Sequence, residues 1–190
     1  MAENKVKFGL KNVHYALLTE GSTNAWSTPV AIPGAVSLSL EPNGESSDFY
    51  ADNVTYFRSF ANNGYNGTLE MARLSDAFVQ AVYGQDLDNT SKVLFEYNNV
   101  DPKPFALLFQ IDGDQNDELY CFYRCIPGRP TIASETIGEN KEPQTAEIEI
   151  SCLPLVTGTT NQLNLIKACT TKETDSTTRT TWFTSVPVPN

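Results

Sequence analysis

Ala35-Val36-Ser37-Leu38-Ser39-Leu40-Glu41 and Tyr65-Asn66-Gly67-Thr68-Leu69-Glu70-Met71 are two stretches of strict alternation separated by 23 residues. In the first, Val36, Leu38 and Leu40 alternate with Ser37, Ser39 and Glu41; in the second, Tyr65, Gly67, Leu69 and Met71 alternate with Asn66, Thr68 and Glu70. A period of two puts the apolar set on one face of a strand and the polar set on the other. The pair predicts a long antiparallel hairpin with one face buried. Its connection, residues 42–64, starts with Pro42-Asn43-Gly44 and ends at Gly64, and it carries Phe49, Tyr50, Tyr56, Phe57 and Phe60 where polar filler is usual. Loops of that length in small β-domains are mostly functional.

The same period extends outward. Val13 to Leu18 reads as a first strand, and further strands are expected at 93–97, 105–111, 119–126 and 146–153. In the last of these Ala146, Ile148, Ile150 and Cys152 alternate with Glu147, Glu149 and Ser151, so its polar face is acidic. Asp112 to Asp117 reads as a hairpin turn. One segment breaks to helical spacing: Ser75 is an N-cap, Asp76 sits in the first turn, Phe78, Val79, Val82 and Tyr83 make one stripe, and Gly84 closes it. A helix of two turns needs a sheet to pack on. From 157 onward the chain is rich in threonine, eight of them between 170 and 184, and an extended, weakly held tail over 170–190 is expected, with Trp182 and Phe183 as anchors. The fold class is therefore all-β: an antiparallel β-sandwich or barrel of seven to nine strands, with one short flanking α-helix and a long hairpin loop. A chain of 190 residues fits one domain, 1–190, with a flexible N-terminal arm over 1–10.

Composition narrows the function. The net charge is −10, and residues 85–190 hold 15 acidic against 8 basic side chains. That balance argues against nucleic-acid binding, which needs clustered cations to displace phosphate counterions. No apolar run approaches membrane-spanning length, and no secretory signal is readable at the N-terminus, so synthesis and folding in a cytoplasm are expected. The four cysteines then read as free thiols. Cys121 and Cys125, four apart on a strand, are expected to point the same way about 13 Å apart without meeting. A zinc site lacks ligands, since His14 is the sole histidine.

Neither a catalytic nor a cofactor site is expected. His14 lies in a strand without a nucleophile motif near it. Asp112, Asp114 and Asn116 begin like a calcium loop, but Asp117 stands where glycine is needed and Tyr123 where a bidentate carboxylate is needed. The aromatic loop is the exception to this plain picture. Five aromatics facing solvent form a patch that a lone soluble chain avoids. Either the loop folds back over the core, or it docks on another chain, with Phe49, Tyr50, Tyr56, Phe57, Arg58 and Phe60 as the interface candidates.

Four blocks in order, Phe8-Gly9-Leu10-Lys11-Asn12-Val13-His14-Tyr15-Ala16, Pro29 to Val36, Phe49-Tyr50-Ala51-Asp52-Asn53 and Gly64 to Glu70, resemble the major tail (tail tube) proteins of long-tailed, non-contractile phages, in particular the phi13-type group. The resemblance covers residues 6 to 130. It implies a β-sandwich subunit that stacks as hexameric rings, with strands of each subunit forming a barrel around a lumen. The loop 42–64 would then bridge to the next ring and the helix would lie outside the β-core. It also implies a lumen lined with carboxylates that lets DNA slide through in transit without being bound, and Glu70, Glu147 and Glu149 are the lining candidates. Glu45, Asp48 and Asp52 are candidates for inter-ring ion pairs. The implied partners are further copies of the chain and the tape measure, tail terminator and tail tip or baseplate proteins of the same phage, with no membrane. The implied location is the virion tail, assembled in the host bacterial cytoplasm. The competing expectation is a lectin-like β-sandwich whose loop aromatics stack on sugar rings.

Overall fold

A computed structural model describes residues 4–136 and 143–189. Among them thirteen strands and two helices follow in chain order: β1 (Lys7–Thr19), β2 (Ala25–Trp26), β3 (Val30–Ala31), β4 (Ala35–Pro42), β5 (Ser46–Ala51), β6 (Val54–Phe60), β7 (Tyr65–Met71), α1 (Asp76–Tyr83), β8 (Asp86–Leu87), β9 (Leu94–Phe95), β10 (Phe105–Gly113), β11 (Glu118–Pro127), β12 (Ala146–Cys152), β13 (Lys167–Cys169) and α2 (Ser176–Thr181). The fold is all-β, built on one nine-stranded antiparallel sheet. Its path runs β2-β1-β10-β11-β12-β7-β4, with β13 added to β11 and β3 to β1. The expected hairpin is present: β4 and β7 pair antiparallel, Leu38 opposite Leu69 and Leu40 opposite Gly67. Gly67 is required there, because a Cβ would lie 1.8 Å from the Ser39 carbonyl oxygen. Val36, however, does not share the buried face: it is the extra residue of a bulge between Ala35 and Ser37 and is 52% exposed.

The sheet curls until β4 comes alongside β1 without pairing to it. Its concave side holds the main core, where Leu69, Met71, Phe105, Leu107, Ile148 and Ile150 are buried. The α1 stripe closes one end. Phe78 and Val82 are fully buried, and the Phe78 ring packs edge-on to Tyr15, Phe105 and Tyr83. Both helix caps form as the sequence predicts: the Ser75 hydroxyl accepts from the Phe78 N–H at 3.2 Å, and Gly84 takes φ 63°.

A second cluster covers the opposite side of β1, β10 and β11, where Ala16, Leu18, Leu108, Cys121 and Tyr123 meet Leu155 and Trp182. The C-terminal segment is therefore not an extended tail. Asp175 caps α2 by accepting from the Thr178 N–H at 2.8 Å, Trp182 is 4% exposed with its indole N–H on the Tyr120 carbonyl, and Phe183 stacks on His14 at 4.6 Å. Threonine's weak helix preference hid this turn, which exists because it carries Trp182 onto the sheet. The N-terminal arm also needs correction. Lys7 to Leu10 belong to β1, and the Asn4 side chain is tied to the β10–β11 turn through the Asn116 backbone at 2.7 and 2.8 Å. Residues 1–3 and 190 lie outside the described residues.

Cys121 and Cys125 point to opposite sides of the sheet, contrary to the even spacing. Leu107 faces Phe122 while Phe105 faces Cys125, so β11 carries one extra residue at a bulge and the side-chain parity flips. Cys125 joins the main core beside Cys152, Sγ to Sγ 3.1 Å as free thiols, and Cys121 joins the second cluster. Burial pushes both the Cys121 and the Cys125 thiols well up from their usual range, which leaves them unreactive. The expected strand at 93–97 shrinks to β9, a two-residue partner of β8. Among the described residues no helix is long and apolar enough to cross a membrane.

Candidate assembly surfaces

The residues between β4 and β7 are not a loop. The ladder continues from the sheet through Asn43 N–H to Gly64 carbonyl (2.8 Å), Asn63 to Asn43 (2.8 Å) and Ala61 to Glu45 (2.9 Å) into the paired strands β5 and β6. The turn at the tip places both Asp52 and Asn53 at left-handed φ, 52° and 62°. That is the pattern of a tight two-residue hairpin turn, and Asp and Asn are the side chains besides glycine that tolerate it. At the root Gly64 takes φ 100°, and a Cβ on Gly44 would lie 1.9 Å from the Ala61 carbonyl oxygen. Beyond the root the ribbon runs to Asp52, about 30 Å at 3.3 Å per residue.

This arm does not fold down on the core. Phe49 and Phe57 face each other across the strands at 61% exposure each, and Tyr50, Tyr56 and Phe60 are exposed by 63, 73 and 76%. A bulge between Phe49 and Tyr50 leaves Tyr56 as the extra residue of β6. Arg58 faces Asp48, and the two form a bidentate pair within the arm at 2.6 and 2.8 Å. The Arg58 guanidinium, aided by Tyr50, holds the Asp48 carboxyl below the usual carboxylate range. Asp48 is thus engaged inside the arm, leaving Glu45 and Asp52 as the acids facing outward.

The three carboxylates singled out from the sequence share one surface. On the outer face of β4, β7 and β12 the register sets Ser37, Glu70 and Glu147 in one row, Ser39, Thr68 and Glu149 in the next, and Glu41, Asn66 and Ser151 in the third. No lysine or arginine interrupts these rows. Glu70 accepts from the Thr145 and Ser37 hydroxyls at 2.8 Å each, and these bonds, Thr145 first, lower its pKa. Glu147 and Glu149 are exposed. The depression over this face, about 650 Å³ and wide open, is lined by hydroxyls, carboxylates, Asn66 and backbone, with Ile126 and Pro127 beside them.

The His14 Nδ1 sits 2.8 Å from the Asn12 carbonyl oxygen, and its ring lies against Phe183. Asp112 and Asp114 of the calcium-like turn are taken up by Lys11 and by the Lys5 N–H. Among the described residues no cluster of three or more His, Cys, Asp or Glu side chains could hold a metal ion.

A further surface escaped sequence reasoning. At the end of the curled sheet opposite α1 the concave side is open, forming an apolar mouth of about 350 Å³ lined by Phe8, Leu10, Leu38, Leu40, Phe109 and Ile111. Phe8 is 68% exposed at its edge. The alternation of Phe8 with Leu10 was the available signal; what it did not reveal is that this end has no cap among the described residues.

No protein-family model matches the chain, and no curated protein does.

Proposed function

We propose that the chain is a self-assembling structural subunit of a phage tail tube, stacking as rings, hexameric in the family it resembles, around a conduit for DNA. The observation that carries this reading is the β5–β6 arm, a hydrogen-bonded ribbon that holds five aromatics in solvent, well beyond the core. Aromatic side chains bury about 150–250 Å² each and dominate interface energetics. An arm so loaded buries little of its aromatic surface within its own chain and is suited to bind another copy.

A second feature supports the conduit. The arm springs from the two strands, β4 and β7, whose outer face carries the hydroxyl and carboxylate rows. One ribbon thus combines a sticky extension with a surface that repels polyanions, because uncompensated carboxylates and small hydroxyls give DNA no cation to bind. Glu70, Glu147 and Glu149 line the lumen in this proposal. The work is done by burial and subunit addition, without a chemical step. Partners are other copies of the chain and the tape measure, terminator and tip proteins of the same tail, and the location is the virion.

Negative-stain electron microscopy of the concentrated protein tests the proposal. Rings or tubes on the order of 100 Å wide are expected for six domains of this size. A chain that stays monomeric at millimolar concentration and binds a glycan array is a lectin-like module instead.

A further inference from the structure

We infer that the apolar mouth at the open end of the sheet is the receptor for the arm of a second copy of the chain, so that each subunit offers an arm and a socket. This rests on the self-assembly reading above and names the contact through which it would work.

Three observations converge. First, the mouth and the arm are chemically alike and both uncovered among the described residues: Phe8, Leu10, Leu38 and Leu40 on one side, Phe49, Phe57 and Phe60 on the other. Second, a chain cannot fill its own mouth. Leu38, Leu40 and Tyr65 line it, and the arm leaves the sheet at Pro42 and Tyr65, so the socket lies at the root of the arm. Bringing Phe49 and Phe57, roughly 20 Å along the ribbon at 3.3 Å per residue, back to the root means breaking the continuous ladder. Third, the charges match. Lys167 stands at the rim with its ammonium 4.6 Å from the Tyr65 ring centre and makes no ion pair among the described residues. The arm carries Glu45, Asp48 and Asp52 against the single Arg58.

The available area is sufficient. Five aromatics of about 150–250 Å² each, three-fifths to three-quarters exposed, offer on the order of 600 Å². A stable interface buries about 800 Å² per partner, so the rest of the ribbon surface completes it. The contact is heterologous, arm to socket, and such contacts close into rings or grow as open stacks.

The test uses two variants in a Cys169→Ser background, which removes the exposed thiol and leaves the three buried ones. One carries Phe57→Cys, the other Phe8→Cys; both sites are exposed, so both chains should fold. They are mixed in equal amounts at assembling concentration and oxidised by air with a copper–phenanthroline catalyst. The expected result is a species of twice the chain mass in the mixture, with the peptides bearing positions 57 and 8 joined, and with rings or tubes in the same sample. Rings or tubes without that link overturn the arm-to-mouth contact and leave self-assembly standing. The link confined to a closed dimer upholds the contact and overturns the tube. Neither assembly nor link overturns both. As a second handle, Phe8→Asp on the otherwise native chain should raise the concentration needed for assembly at least tenfold while leaving the melting curve unchanged; an unchanged assembly threshold contradicts the inference.

Discussion

Between Ala35–Pro42 and Tyr65–Met71 the ribbon lays Leu69 and Met71 into the core without exposure, whereas further along, between Ser46 and Phe60, the same ribbon leaves Phe49, Phe57 and Phe60 exposed by 61, 61 and 76%. The backbone ladder is continuous across both parts. The difference is what lies against each face. The base is backed by β12 on its edge and the main core beneath it, while the arm is held by its own ladder and by the Asp48 carboxylate with Arg58 and Tyr50. A lone two-stranded ribbon is marginal in water, so hydrogen bonding alone gives the arm its shape but little of its reason to persist. Base and arm therefore divide the labour: one stabilises the chain, and the other, in the proposed reading, is available to a second copy.

The largest contrast is in assembly and stability together. Phe78→Ala, at a fully buried ring of the core, should destabilise the chain by about 3–5 kcal/mol, seen in a denaturant or thermal melt. Phe57→Ala in the arm should change the same melt by no more than about 0.5 kcal/mol, yet the Phe49→Ala, Phe57→Ala double variant should raise the assembling concentration at least tenfold by light scattering. A large loss of monomer stability in the arm variant would mean that the arm does pack on its own subunit.

A smaller effect concerns the arm's direction. Gly44→Val places a Cβ against the Ala61 carbonyl and must bend the ribbon at its root, so rings should form poorly while circular dichroism keeps its strand signal. Smaller still for assembly, Glu147→Lys with Glu149→Lys should leave rings intact but give them measurable affinity for DNA at low salt, lost as salt is raised. Assembly abolished by this pair would place the acidic rows in a subunit contact.

The weakest effect is a pH dependence at Glu70. Hydroxyl donors from Thr145 and Ser37 lower its folded pKa from the ordinary 4.5, so the contribution is present above pH 4.5 and is lost as pH falls through the folded value. Glu70→Gln should flatten the melting temperature profile slightly below pH 4.5 and leave it unchanged at pH 7.

The base was legible because burial on one face imposes a period of two, and Leu38, Leu40, Leu69, Ile148 and Ile150 obey it. The Ser75 and Gly84 caps were legible because they are local. The arm's pairing was not, since Phe49, Tyr50, Tyr56 and Phe57 are exposed on both faces and a bulge at Tyr56 breaks what alternation remains. Its Asp52-Asn53 turn was a readable signal masked by the surrounding aromatics. The parity flip between Cys121 and Cys125 depends on a single extra residue in β11, set by packing across the sheet. The burial of Trp182 and the open mouth at Phe8 and Leu10 are likewise products of how distant segments meet, which one-dimensional spacing does not record.

Under this proposal the arm exists for another copy of the chain. That role is tested most directly by replacing residues 45–60 with Asn-Gly, a tight hairpin turn on the shortened ribbon, and comparing sedimentation velocity with the intact chain over rising concentration. The account predicts that the intact chain moves into large, fast-sedimenting species while the shortened chain stays a folded monomer with an unchanged melt. Equal self-association by both chains, or none by the intact one, would contradict it.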